Sequence, residues 1–161
     1  MPKISALIHT ANNERTLGRT LESLRCVDEI VIVDHHSTDK TLRIAKQYGA
    51  RVIHAVAGVD RGAYAVDCKY DWILCVLPNE TPSEALEASI FDWKEHSPGP
   101  GHEGGAGLAV RLREQKGETW SPHDPEMRLA DRTKINWPDL FPAAADDDPQ
   151  LLSGDLLRFA D

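Results

Sequence analysis

Three polar segments of the sequence carry side chains suited to ligand chemistry, and each follows an apolar run of strand length. They are H-T-A-N-N-E at residues 9–14, D-H-H-S-T-D at 34–39 and L-P-N-E at 77–80. Their carboxylates, amides and hydroxyls can hydrogen-bond a ribose, a base or a phosphate. In an open α/β sheet, the carboxyl ends of the strands border the ligand crevice. The three segments therefore predict a ligand site along one edge of a sheet.

The elements that must position these segments follow from the hydrophobic pattern. Strands are predicted at Ile4–Ile8, Glu29–Asp34, Arg51–Ala55 and Asp71–Val76. The second is continuously apolar up to its last residue, which is typical of a strand covered on both faces. Apolar residues at helical spacing follow the first, second and fourth strands. This alternation predicts one α/β domain with an open, mostly parallel, doubly wound sheet and right-handed crossovers.

Local motifs predict where the three helices begin and end. Asn12 or Asn13 is the predicted cap of the first helix. The second is predicted to begin around residues 37–39 and to end at Gly49. Its inward residues are predicted to be Leu42, Ala45 and Tyr48. T-P-S-E at 81–84 has the form of a capping box with proline at the first helical position, so it predicts that the third helix begins there, directly after the 77–80 segment.

The last third of the sequence is less regular. Residues 96–107 are rich in glycine and proline and predict a loop. Short strands of a mixed arrangement are predicted at Leu108–Arg113, Glu126–Ala130 and Ile135–Trp137. Residues 143–150, with the run Asp146–Asp148, predict an acidic solvated loop before a terminal apolar stretch at 151–159.

Composition limits the classes of function. The chain has 161 residues, a formal net charge of −8 and a pI near 5.3, which argues against a nucleic-acid partner. Its three cysteines include no C-x-x-C pair, so neither a disulfide framework nor a zinc site is indicated. No apolar run approaches the roughly 18 residues of a transmembrane segment. A cytoplasmic protein is expected, with peripheral attachment to the inner face of the membrane left open.

Several polar residues have both a structural and a functional interpretation. Asp34 either binds a ligand or accepts hydrogen bonds from backbone amides in the turn that follows its strand. A metal site at His35–His36 is disfavoured, because adjacent side chains on an extended backbone point to opposite sides. S-P-H-D at 121–124 is better explained by a turn between its prolines than by a catalytic triad. Arg128 and Arg132 either bind phosphate or lie on a solvated strand face.

The first 95 residues resemble the nucleotide-binding half of family 2 glycosyltransferases, particularly those that build lipopolysaccharide cores and other surface glycans. The residues that carry the resemblance are T-A-N-N-E, D-E-I-V-I-V-D-H-H-S-T-D-K-T-L-R-I-A-K-Q-Y-G-A and D-W-I-L. Residues 96–161 resemble a shortened acceptor-side half, through R-L-A-D-R at 128–132 and the tryptophan of I-N-W. The resemblance implies a GT-A fold that binds a nucleotide sugar, usually linked to uridine diphosphate (UDP), and transfers the sugar to a glycan or lipid-linked acceptor.

The resemblance also implies site residues. Thr10, Asn12 and Glu14 match the loop that meets the nucleotide, and Asp34 matches the residue that contacts the uridine. Arg61 lies in the region that approaches the diphosphate. No catalytic base is assigned. Residues that are candidates by region alone are Asp124, Glu126 and Asp131.

The sequence departs from the family where a cation is expected. The family places Asp-x-Asp after W-I-L to bind Mg²⁺ or Mn²⁺, whereas this chain has Leu77, Pro78 and Asn79, followed by Glu80. Asn79 and Glu80 are expected to form a degenerate metal and diphosphate turn, in which Glu80 is the acid that remains. An aliphatic side chain and an amide are poor ligands for a hard cation, so weak metal binding is expected. The family's histidine–acid pair is also replaced, near Phe141. The sequence leaves two hypotheses open: a transferase of weak or lost activity, and a non-catalytic nucleotide-binding or assembly module.

Overall fold

The computed structural model describes residues 1–96, 105–144 and 149–160. Its strands are β1 (Ile4–Thr10), β2 (Glu29–Asp34), β3 (Arg51–His54), β4 (Trp72–Cys75), β5 (Glu80–Pro82), β6 (Gly107–Lys116), β7 (Thr119–Asp131) and β8 (Gln150–Arg158). The helices are α1 (Leu17–Ser23), α2 (Thr41–Gln47) and α3 (Glu84–His96), with a 3₁₀ helix at Arg61–Asp67. The strands form one mixed sheet of order β3-β2-β1-β4-β7-β6-β8-β5. The predicted α/β class is confirmed.

The first four strands form the parallel half of the sheet that positions the site. β1 lies between β2 and β4 and is parallel to both, and β2 is parallel to β3. The register of β1 and β2 pairs Thr10 with Asp34, so the polar segments that follow these two strands start side by side. Val31, Ile32 and Val33 are fully buried, which confirms that the continuous apolar run marks a strand covered on both faces.

The two faces of the sheet are covered by different elements. All three α-helices pack on one face, where Leu17, Leu21, Ala45, Leu86 and Ile90 join the larger core cluster. The opposite face is covered by the 3₁₀ helix, through Tyr64 and Ala65, and by the loop that carries Trp137 and Phe141. The predicted coverage of both faces is therefore correct, but a 3₁₀ helix and a loop provide it on the second face. That loop brings residues 137–141 close to the carboxyl edge of β1.

The second half of the sheet differs from the sequence prediction. Ile135–Trp137 is not a strand, and the 121–124 segment is not a turn but part of β7. β4 pairs only with Leu129–Asp131 of β7, so the earlier part of β7 has one strand partner, β6, among the described residues. Proline is tolerated on such an edge because no partner strand needs its missing N–H. Pro122 and Pro125 therefore mark an edge strand.

The starts of the helices also need correction. Neither Asn12 nor Asn13 caps α1, since its first residue is Leu17 and the preceding Thr16 makes no side-chain cap. α2 ends at Gln47, just before Gly49, whose φ is positive, but Tyr48 is 41% exposed and does not point inward as predicted. Thr81 and Pro82 belong to β5 because they pair with β8, and Ser83 caps α3 by accepting a hydrogen bond from the Leu86 N–H.

Residues 97–104 of the loop predicted at 96–107 lie outside the described residues. The same holds for residues 145–148 of the loop predicted at 143–150, which include the Asp146–Asp148 run. Among the helices that the structure describes, none has the length and apolarity needed to span a bilayer.

One glycine of the 3₁₀ helix allows the loop of the second face to pack against that helix. A Cβ on Gly62 would overlap the backbone carbonyl of Trp137, so only glycine allows this approach. Gly62→Ala should therefore lower the free energy of unfolding by about 1–3 kcal/mol. Urea denaturation measures this change. Gly18→Ala is the matched control, because its Cβ would meet only atoms at 3.8 Å or more within a helix and should not destabilise the chain. Equal stability of the two variants would contradict the assigned packing.

Candidate nucleotide-binding site

A cleft opens at the carboxyl ends of β1 and β2. Its volume is ≈ 250 Å³. The residues that line it are His9, Thr10, Ala11, Asn13, His35, Arg61, Leu77 and Leu140. They come from all three predicted polar segments, from the 3₁₀ helix and from the loop of the second face. The sequence prediction of a site along this edge therefore agrees with the geometry.

Thr10 and Asp34 are joined at the base of the cleft. The Thr10 hydroxyl donates to Asp34 Oδ1 at 2.7 Å, and the same oxygen accepts from the Ser37 hydroxyl at 2.6 Å. Asp34 Oδ2 accepts from the Ser37 N–H at 2.9 Å. Burial alone would raise the pKa of Asp34, but these hydrogen bonds outweigh burial and lower it. Asp34 is 1% exposed. Its hydrogen bonds from Ser37 correspond to the structural interpretation, in which the carboxylate accepts from the turn that follows its strand.

Asn12 and Glu14 connect the loop after β1 to the loop after β2. Asn12 Oδ1 accepts from the Thr38 N–H at 2.8 Å, with Asn12 itself at φ 56°. Glu14 Oε2 accepts from the Lys40 N–H at 3.2 Å. Neither residue lines the cleft, although both are exposed next to it. Of the five residues predicted to bind nucleotide, Thr10 and Arg61 line the cleft, and the other three hold its loops in place.

His9 and His35 form a contact that the sequence prediction missed. His9 Nδ1 and His35 Nε2 are 2.9 Å apart and share a hydrogen bond. His9 Nε2 is buried and has no partner among the described residues. Burial is the main cause that lowers the pKa of His9 to about 4, with His35 and Arg61 acting in the same direction. The sequence does not indicate this pair, because His9 and His35 are 26 positions apart and meet only where two adjacent strands end.

Arg61 lines the cleft and is held by an acid from the loop of the second face. Its Nε and one terminal nitrogen donate to the two carboxylate oxygens of Asp139 at 2.6 and 2.7 Å. The hydrogen bond from Arg61 lowers the pKa of Asp139. Both side chains are about half exposed, at 46% and 57%. Sequence patterns gave no indication of Asp139, because its position depends on the path of a loop without periodicity.

Glu80 is not available as a cation ligand. Its side chain is fully buried, and Oε1 accepts from Arg128 at 2.7 Å and from the Leu77 N–H at 2.7 Å. Oε2 accepts from Arg128 and from Arg158, each at 3.1 Å. The expectation that Glu80 remains as a residual metal or diphosphate residue is thus corrected: its oxygens are already bonded to two guanidinium groups and a backbone amide.

The rest of the 77–80 turn is also committed to the fold. Asn79 Nδ2 donates to the Phe159 carbonyl at 2.9 Å, and the Phe159 N–H donates to the Asn79 carbonyl at 2.9 Å. β5 separates the turn from α3, so the amides at the start of that helix do not face it. No group of three or more potential metal-ligating side chains exists among the described residues. The residues of this turn therefore do not fit Mg²⁺ or Mn²⁺.

The two later arginines lie at different depths. Arg128 is fully buried and stacks on Phe141 with 3.9 Å between guanidinium and ring centroid, so the solvated-face interpretation is wrong for it. Arg132 donates to Asp71 and to three carbonyls near the end of the 3₁₀ helix. β7 is antiparallel to β4, which places Arg132 at the amino end of β4, away from the cleft. Its predicted phosphate contact is incompatible with that position.

The acids proposed by region do not line the cleft. Asp131 pairs with Trp72, at the same distant edge of the sheet as Arg132. Glu126 does not line the cleft and accepts a hydrogen bond from Arg128. Asp124 is exposed on the part of β7 that pairs with β6 but not with β4. None of the three is positioned as a catalytic base at this cleft.

The Glu80 cluster generates a stability prediction. Glu80→Gln removes the charge that compensates Arg128 and Arg158, and loss of one partner from a buried ion pair costs about 3–5 kcal/mol. Chemical denaturation gives the change in unfolding free energy. Glu126→Gln is the matched control, since Glu126 is 45% exposed and its ion pair should contribute under about 1 kcal/mol. Equal decreases in the free energy of unfolding of the two variants would show that Glu80 is not the centre of the cluster.

His9 generates a prediction about pH. Its pKa in the folded chain is about 4, below the ordinary value of 6.5, so the unfolded chain binds more protons between these values. The contribution of neutral His9 is therefore complete above pH 6.5 and is lost as the pH falls towards 4. His9→Gln should flatten the rise of unfolding free energy with pH in that window, measured by urea titrations at several pH values. The exposed-site variant His36→Asn, which suits the positive φ there, should leave the slope unchanged.

Comparison with known proteins bears on the family that the sequence resembles. Residues 5–75 match the family model described as Glycosyl transferase family 2. An uncharacterized glycosyltransferase of Rickettsia felis is 39% identical over 94 residues, which cover 56% of this chain and 33% of that protein. Glucosyl-3-phosphoglycerate synthase of Petrotoga mobilis is 36% identical over 61 residues, covering 33% of this chain and 19% of the synthase. The chain thus spans about a third or less of these relatives.

Solved structures share the fold. S. aureus TarS, in complex with UDP, has a TM-score of 0.52 and 22% identity over 73% of this chain and 37% of its own. Glucosyl-3-phosphoglycerate synthase from Mycobacterium tuberculosis, solved with Mn²⁺, UDP and glucosyl-3-phosphoglycerate, has a TM-score of 0.52 and 19% identity over 72% of this chain and 45% of its own. The resemblance is therefore confirmed: residues 5–75 match the family 2 glycosyltransferase model, and the chain has the GT-A fold of these structures.

Proposed function

We propose that the chain binds a UDP-linked sugar in the cleft without a divalent cation, and that its transfer of the sugar to a hydroxyl acceptor is slow or absent. One observation carries the proposal. The cleft combines Thr10 and Arg61 from the family's nucleotide region, whereas the turn that should hold the cation is closed by Glu80, Arg128 and Arg158. A basic cleft is therefore present, whereas the 77–80 turn, where the family binds a cation, is held by hydrogen bonds within the fold.

The chemistry of the cleft supports binding of a diphosphate. A guanidinium donates two parallel hydrogen bonds to a carboxylate or a phosphate with the same geometry. Arg61 already makes such a pair with the exposed Asp139, so a phosphate can replace that carboxylate at small cost. Leu77 and Leu140 supply apolar walls beside the polar groups, as is common in small-molecule sites. The UDP complex of TarS, on the same fold, makes a uridine nucleotide the ligand to test first.

The chemistry of transfer is less well provided for. Direct displacement requires a base for the acceptor hydroxyl and stabilisation of the leaving diphosphate. Among the described residues that line the cleft there is no carboxylate, and no group of three potential metal-ligating side chains is found at the 77–80 turn. A non-catalytic module that binds nucleotide or serves in assembly is therefore the alternative to a slow transferase.

Calorimetry with UDP tests the proposal. We expect saturable binding with the same dissociation constant in Mn²⁺ and in a chelator. Arg61→Gln should weaken it about 10- to 100-fold, as expected for loss of a charge-assisted hydrogen bond. Arg43→Gln is the matched control, because it removes the same charge from an exposed position on α2 and should leave affinity unchanged.

Three results would contradict the account. Absence of UDP binding would refute a nucleotide-binding cleft. Binding that depends strongly on Mn²⁺ would show that the 77–80 turn, or another site, holds a cation. Rapid release of UDP from a UDP-sugar in the presence of a chelator would refute slow or absent turnover.

A further inference from the structure

The contact between His9 and His35 limits how many protons the two rings can hold. At 2.9 Å between Nδ1 of His9 and Nε2 of His35, one nitrogen must donate and the other must accept. If both rings were imidazolium, two N–H groups would face each other and the bond would be lost. While this bond persists, the pair is either neutral or carries one additional proton.

The neutral pair leaves a polar atom without a partner. His9 Nε2 is buried and has no hydrogen-bond partner among the described residues, and His9 is one of the residues that line the cleft. A buried polar atom without a partner is costly, so a ligand that bonds it gains affinity. An anionic acceptor meets this need best once the pair is protonated, because a charged donor makes the stronger hydrogen bond.

The charged groups around the pair determine when it takes up a proton. Arg61 disfavours the imidazolium form of His9, and Asp139 favours it. The Tyr64 ring lies edge-on to His9 with centroids 6.0 Å apart, and Asp34 lies next to His35 in sequence, with its carboxylate held by Thr10 and Ser37. In the free chain, burial dominates and holds the pKa of His9 near 4. A dianionic ligand bound to Arg61 would offset the charge of that arginine and favour the protonated form of His9.

We propose that His9, His35 and Arg61 form a phosphate subsite in which uptake of one proton by the imidazole pair takes the place of the divalent cation. The proton comes from the buffer and resides on the pair, so His9 Nε2–H donates to a phosphate oxygen while the His9–His35 bond is kept. This inference rests on the proposed function, since it assigns the charge neutralisation that a cation would otherwise supply.

The test compares two ligands that differ in phosphate content. UDP-glucose has no terminal phosphate monoester, the group that titrates near pH 6, so its own charge stays fixed between pH 6 and 8. Uridine is the control ligand because it lacks phosphate. Calorimetry at pH 6, 7 and 8, in pairs of buffers with different ionisation enthalpies, measures protons taken up on binding. All titrations are made with a chelator present.

For UDP-glucose we expect net uptake of more than zero and at most one proton, with affinity rising by up to about tenfold for each unit that the pH falls. Uridine should bind with no uptake and no such dependence. His9→Asn and His35→Asn should each remove the proton uptake and lower the affinity for UDP-glucose at pH 6. Both variants should bind uridine with an affinity within about twofold of that of the unmodified chain. His36→Asn, a neighbouring exposed histidine, should behave as the unmodified chain.

The outcomes separate the two proposals. If UDP-glucose and uridine both fail to bind, the proposed nucleotide site is refuted. If UDP-glucose binds without proton uptake, the cleft stands and the phosphate subsite is refuted, whatever the variants do. Uptake that persists in both His9→Asn and His35→Asn would assign the proton elsewhere and would also overturn the inference.

Discussion

The burial of Glu80 between Arg128 and Arg158 is the constraint on which the rest of the site depends. A carboxylate taken out of water is tolerated only when it is paired and its oxygens are fully bonded. Here one side chain joins the turn after β4 to β7 and to β8, three strands that are distant in sequence. The same hydrogen bonds that join these strands occupy both oxygens of Glu80, the one carboxylate of the 77–80 turn. One set of contacts therefore stabilises the fold and leaves this carboxylate unavailable to a cation.

The parallel half of the fold could be predicted from the sequence because its information is local. The continuous run Glu29–Asp34 and the strand before Thr10 indicated buried parallel strands, and the register then brought Thr10 and Asp34 together. The second half could not be predicted in the same way. The prolines of β7 suggest a turn unless it is known that this part of the strand lies at an edge, and Thr81–Pro82 suggests a helix start unless the pairing with β8 is known.

The candidate site shows the same division. Residue types at strand ends located the cleft, but which side chains face it depended on contacts between segments. Asn12, Glu14 and Asp34 have the polarity expected of ligand residues, yet their hydrogen bonds hold the two loops together. His9 at the end of β1 contacts His35, which follows the neighbouring strand β2, and Asp139 binds Arg61 from the loop that covers the second face. A single sequence contains the residues of such contacts but not the distances between them.

The central claim is that a UDP-sugar binds beside β1 and β2 while no cation binds at the turn after β4. Amide NMR spectra of the chain with UDP-glucose, recorded before and after addition of Mn²⁺, test it most directly. The account predicts shifts at Thr10, Ala11, Asn13 and Arg61 on addition of the ligand, and no selective paramagnetic broadening at residues 77–80 when Mn²⁺ follows. Selective broadening of residues 77–80 by Mn²⁺, or ligand shifts confined to another part of the chain, would contradict it.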